Sequence, residues 1–259
     1  MATALRCLTI LAAIALAALL LTQTSHAAAG PSPQIGPTEL ALFTAANRDR
    51  AAAGLPAFQW DASLASAARQ HAQLMADRNA LSHQFPGEAP MQNRARRAGA
   101  RFSLIAENVA EGPSAANLHT QWMNSAPHRA NLLDRELNSI GIAVVQSGNM
   151  YFAVQDFSTA VPSASLEQQE QQVAQQLAAR GLRDVSATAD ARRTCELERG
   201  FAGQHPSAVM RYETADLRQL PDDVDRRLTT GQVHSAAIGA CDAAPASTFA
   251  RYRIAILLY

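Results

Sequence analysis

Two short side-chain pairs carry the chemistry legible in this chain. Glu107-Asn108 sets a carboxylate beside an amide, and His128-Arg129 sets an imidazole beside a guanidinium. Between them, Leu118 to Met123 has helical apolar spacing and is entered through Pro113 and Ser114, residues that suit a helix start. A short helix there, followed by a fold-back, would bring Glu107 and His128 to one cleft. Buried imidazoles and carboxylates are costly unless paired or metal-bound, so such a cluster calls for an explanation. A third group, His83, lies in Leu81–Gly87, a stretch that no helix period explains. A loop histidine between apolar neighbours is a better ligand candidate than one on a helix face.

The elements around these residues follow from local signals. Thr38 can cap a helix running to Ala53, with Gly54 as its stop. Asp61 can cap a second, whose stripe Leu64, Ala68, His71 and Met75 makes His71 a locally bonded core or boundary residue. A third, Met91 to Ala98, ends at Gly99, and its Arg94, Arg96 and Arg97 read as a solvated face. In the central helix Trp122 reads as core and His119 as exposed, while Arg129 supports the cleft by pairing with an acid or a carbonyl. Ser139–Val145 and Tyr151–Phe157 read as strands joined by a turn at Ser147-Gly148-Asn149. Beyond Pro162, a Gln-rich segment with Leu166, Glu170, Val173 and Leu177 at helical offsets runs to Gly181. Strands then follow at Val209–Tyr212, Val233–Ala240 and Tyr252–Tyr259, with a helix over Asp216–Leu228. His205 and His234 show no ligand spacing.

Composition excludes several functions. The 22 basic residues are all Arg, balanced by 22 acidic ones. That balance argues against nucleic acid or an anionic membrane, and the lack of Lys rules out Schiff-base and Walker-loop chemistry. Residues 1–27 read as a secretory signal: Arg6, an apolar run from Leu8 to Leu21, and a small-residue site at Ser25-His26-Ala27. The run is too short to span a bilayer, so the expected product is an exported protein, secreted or periplasmic, with no transmembrane anchor after signal removal. Ala28–Pro37 is a Pro/Gly-containing lead-in. The expected organisation is a domain over 38–160, a helical connector over 161–183 and a small C-terminal domain over 184–259. Of the cysteines, Cys195 and Cys241 survive processing, and an exported pair is most simply a disulfide.

From Leu42 to Phe157 the order of motifs resembles the CAP superfamily of cysteine-rich secretory, antigen-five and pathogenesis-related proteins, in particular its bacterial SCP-like extracellular branch. The matching pieces are NRDRAAAGLPAFQWD, HAQLMA, LSH, AENVAEG, WMNSAPHRANLL, IGIAVV and YFAVQDF. The resemblance implies an α+β fold, a CAP-type α-β-α sandwich; beyond it, the strands, helix and cysteine pair of residues 185–259, which resemble no recognised family, read as a smaller disulfide-stapled α+β domain. It also implies a cleft lined by histidines and acids that binds divalent metal in some members. His83 and His128 match its two histidines and Glu107 its acid. Ala106 and Pro127 stand where the family usually has Gly, and Ser125 stands where animal and plant members have a second Glu.

The cleft so inferred contains His83, Glu107, Ser125, His128 and Arg129. Two neutral imidazoles suit zinc or another divalent metal, with one carboxylate as ligand or as acceptor for a bound water. The same three residues can instead bond to each other without metal. Three functions stay open. The first is an exported binding or interaction module for a metal, a small lipid or a cell-envelope component. The second is a metal-dependent hydrolase using Glu107 and a bound water. The third is a structural envelope protein with a vestigial cleft. No HExxH helix or nucleophile elbow favours the hydrolase.

Overall fold

Two four-stranded sheets, each covered by helices on both faces, organise the structure, a computed structural model that describes residues 35–243 and 248–259. The expected signal segment, residues 1–27, and most of the lead-in lie outside the described residues. Residues Ile35–Tyr259 form one compact unit.

The first sheet has the order β1-β3-β4-β2, from Gln59–Trp60, Ser139–Ser147, Met150–Ala160 and Phe102–Gly112. β3 and β4 form the expected hairpin, and β2 pairs antiparallel with β4 from Phe102↔Ala160 to Gly112↔Tyr151. Successive side chains of β3 point to opposite faces. Ile140, Ile142 and Val144 therefore meet one core with Leu42, Leu118 and Trp122, while Ala143 meets the other with Ala68, Met75 and Phe152. A helix covers each face: α1 (Pro37–Ala52) with α4 (Ala115–Asn124) on one side, and α2 (Ala62–Arg78) on the other. This is the expected α-β-α sandwich.

Caps explain where these helices begin. The Asp61 carboxylate accepts from the N–H groups of Ser63 and Leu64, and the Ser114 hydroxyl from that of Asn117. Thr38 is not the N-cap: Gly36 is, and α1 starts at Pro37, two residues earlier than expected, because proline is pre-set for a first helical turn. Two further helices flank the cleft, α3 (Met91–Arg97) and α5 (Ala126–Leu132). Arg50 of α1 is fully buried. Its guanidinium donates to the carbonyls of Pro56 (2.7 Å), Leu132 (3.1 Å), Asp134 (2.8 Å) and Leu137 (3.1 Å), tying the chain beyond α5 to α1.

The second sheet has the order β5-β7-β8-β6, from Asp184–Ala187, Ser235–Cys241, Tyr252–Leu258 and Ala208–Thr214. α6 (Leu166–Ala179) opens with a Ser165/Gln168 capping box and buries Val173 and Leu177 against Ile238, Ile254 and Ile256. The helix expected as a connector is thus packed into the core of this sheet, on the face shared with α8 (Asp222–Leu228). Asp216–Pro221, expected to be helical with it, stays outside that helix because Pro221 removes an N–H and holds the residue before it extended. α7 (Ala189–Glu196) covers the opposite face, where Cys195 and Cys241 form the expected disulfide.

Candidate functional site

β2 is an edge strand of the first sheet, and the candidate site wraps around that edge. Because neighbouring strand residues face opposite sides, Glu107 points to one face and Asn108 to the other. On the first, the Glu107 carboxylate bonds His83 Nδ1 at 2.9 Å through Oε1, and Oε2 takes the Arg94 guanidinium. On the second, the Asn108 amide donates to the His128 carbonyl at 3.1 Å and to Gln155 Oε1 at 3.2 Å. Asn131 of α5 closes over the edge, donating to Asn108 Oδ1 at 2.9 Å. The Glu-Asn dipeptide therefore fixes the two histidine-bearing segments from opposite faces of one strand.

The groups differ sharply in exposure. Glu107 and Arg94 side chains are 4% and 5% exposed, whereas that of His83 is 60% exposed. The hydrogen bond to Glu107 holds the His83 pKa above its ordinary value, against partial burial and the Arg94 charge. His128 goes the other way: partial burial, then the positive charge of His83, lower its pKa. One imidazole thus favours its proton and its neighbour favours the neutral form.

Arg94 was expected on a solvated face, and that expectation is wrong. It is buried between Glu107 and Glu88 (3.3 Å), while Arg96 and Arg97 are exposed. The helical series Met91, Arg94, Ala95 and Ala98 marks its inward side and is the signal that could have placed it. Asp156, opposite Glu107 in the β2–β4 register, was also missed. It is fully buried, and neither of its carboxylate oxygens finds a donor. Burial and then the Glu107 charge push its carboxyl well above the usual carboxylate range, toward the neutral form. Its signal is a charged residue on the same strand face as Phe152 and Val154, both fully buried.

The remaining residues take ordinary places. His71 is buried, bonding Glu88 and the Ser82 carbonyl at 2.7 Å each, as its stripe predicted. Trp122 is core and donates to the Val109 carbonyl at 3.2 Å. His119, expected to be exposed, is buried against α1 and bonds Asp49 at 2.7 Å. Helical phase explains it, since His119 neighbours Leu118 on the side facing Leu42 and Ala46. Ser125 is the half-buried joint between α4 and α5, and Arg129 donates to the Met123 carbonyl at 2.8 Å. Among the described residues, no group of three or more His, Cys, Asp or Glu is placed to hold a metal ion, and no helix is long and apolar enough to cross a membrane.

Residues 43–157 match the profile of the Cysteine-rich secretory protein family, called CAP. This stretch of the chain is a CAP-superfamily domain, similar to those of bacterial proteins. YkwD of Bacillus subtilis is 29% identical over 130 residues, covering 50% of this chain and 50% of YkwD. The B. subtilis membrane protein YlbC is 28% identical over 111 residues, covering 41% of this chain and 31% of YlbC. An extracellular SCP-domain protein of Bacillus anthracis shares 30% identity over 46% of this chain and 39% of its own, with a TM-score of 0.43. The matched stretches thus span half or less of the length of these relatives.

Proposed function

We propose that this chain is an exported CAP-type binding module whose cleft at the β2 edge takes its ligand through His83 and His128. One observation carries the reading: both oxygens of Glu107 are engaged, one by Arg94 and one by His83. A carboxylate so occupied is poorly placed as the base of a hydrolase, but well placed to orient an imidazole. A histidine that gives one ring nitrogen to a carboxylate and keeps the other open has the arrangement of a metal ligand with its supporting acid. His83 Nε2 makes no hydrogen bond among the described residues and lies on an exposed ring. A divalent cation such as zinc fits His83 and His128, with Glu107 behind rather than bound to it. A small lipid or cell-envelope component fits the same open face. Export is supported by the signal-like residues 1–27, and mass spectrometry of secreted material should find Ala28 at its N-terminus.

Zinc calorimetry on the metal-free mature protein tests the cleft. Binding should be lost in His83→Ala and in His128→Ala and kept in the surface variant His234→Ala. Zinc binding that survives loss of both cleft histidines would mean that the cleft is wrongly drawn. Turnover of ester or phosphoester substrates that vanishes in Glu107→Gln would replace this reading with the hydrolase.

A further inference from the structure

A second cleft, of about 890 Å³, lies along α6, away from the histidines. Its other walls are the Ser103 and Thr159-Ala160 ends of β2 and β4 and the turn 215–218 before α8. Neither His83, Glu107 nor His128 lines it. Gln168, Gln171, Gln172 and Gln175 face it at i, i+3, i+4 and i+7, one stripe of the helix, while Val173 and Leu177 face the core. Gln168 is committed to the capping box. Gln171, Gln172 and Gln175 are spoken for by no hydrogen bond among the described residues, and all three are exposed. Helix surfaces are commonly kept soluble by charges, yet this one presents neutral amides to a concave space of ligand size.

We propose that this cleft binds a neutral glycan chain through the side-chain amides of Gln171, Gln172 and Gln175. Each amide sets a donor pair beside an acceptor, which matches two neighbouring sugar hydroxyls. Gln171 and Gln175 stand about one helical turn, ~6 Å, apart, close to the length of one pyranose unit, and Gln172 lies between them along the axis. The facing charges cancel: Arg218 holds Asp216 through two bonds, at 2.8 and 3.0 Å, leaving no unpaired charge for an ionic ligand. Pro162, exposed at the rim, offers apolar surface for the C–H face of a ring. An extended peptide would need a ladder at strand spacing of ~3.3 Å, which a stripe of helix amides does not supply.

The test uses the full mature chain and four probes: cellotetraose, maltotetraose, a β-1,4-linked N-acetylglucosamine tetramer, and a neutral Gly/Ala octapeptide. At least one glycan should shift the side-chain amide resonances of Gln171, Gln172 and Gln175 at millimolar concentration. The triple change of these glutamines to Ala should weaken that binding by about tenfold or more, since several hydrogen bonds are lost. Its thermal midpoint should be unchanged, because the three side chains are exposed. Gln172→Glu, which keeps the helix but brings an unpaired charge to the wall, should weaken binding in the same direction. His83→Ala should bind the glycan like the parent, so failure of the histidine cleft would not be read as failure here. If no glycan moves these amides, if the triple variant binds as before, or if the octapeptide binds better than every glycan, the proposal is wrong.

Discussion

Removing the Arg94 guanidinium would leave Glu107 and Glu88 without their shared cation, beside the buried Asp156 carboxyl. Breaking one side of a buried pair costs about 3–5 kcal/mol, so Arg94→Ala should lose that much in urea unfolding. Arg94→Lys should lose less, since it keeps the charge but not the fork that reaches two carboxylates. The two cleft histidines should give opposite pH signatures in metal-free protein. The raised pKa of His83 means its bond to Glu107 contributes fully below the unfolded value of about 6.5 and fades as pH rises through the folded pKa. The lowered pKa of His128 means its neutral form is favoured above about 6.5, and stability is lost as pH falls toward the folded pKa. The deficit of His83→Gln relative to the parent should therefore shrink from about pH 6 to about pH 8, while acid sensitivity should diminish in His128→Gln. Deficits that run parallel across that range would remove the assignment.

Among the elements, α2 approaches β3 closely at Gly141. A Cβ there would lie 2.0 Å from the Ala65 nitrogen and 2.3 Å from the Leu64 carbonyl carbon, both backbone atoms that cannot swing aside. Gly239 in β7 meets α7 in the same way, 2.1 Å from the Ala191 carbonyl carbon. Gly141→Ala must lift α2 from the sheet and should cost ~3 kcal/mol in a denaturant titration, at the upper end for overpacking. Elements of this kind differ in how far sequence reveals them. Helices opened by Asp61, Ser114 and Ser165 announce themselves, because a cap and its targets lie within four residues. β2 does not: its run through Glu107-Asn108 has no clean alternation, and its ladder comes from residues 151–160, far along the chain. For the same reason the partners of Arg94 were hidden, on a loop and a strand, although its helical series marked the side it faces. The candidate histidines and acid were legible as residue types in a familiar order; their division of labour around one strand edge was not.

At the scale of the whole molecule, the two sheets share no strand but are packed together. The Ala250 N–H donates to the Phe102 carbonyl at 2.8 Å, and the Phe102 and Phe249 rings meet edge-on at 5.9 Å. The Cys195–Cys241 bridge closes a loop of 46 residues within the second half, worth ~4 kcal/mol in the chain-entropy model. Both tryptophans, Trp60 and Trp122, belong to the first half. Replacing both bridge cysteines by Ser should therefore move the circular-dichroism melt to lower temperature while tryptophan fluorescence moves little. A common shift of both signals would show one cooperative unit without a boundary near residue 160. Arg50 adds a constraint of another kind, on the order of events as the chain folds. Its acceptors at Leu132, Asp134 and Leu137 lie 82 to 87 residues further on. A loop of that length closes at a substantial entropic cost before its contacts reward it. The stretch that follows the His128 helix is thus held in place by a side chain far back in the sequence, so the seating of that segment depends on the docking of α1 rather than on local chain preferences.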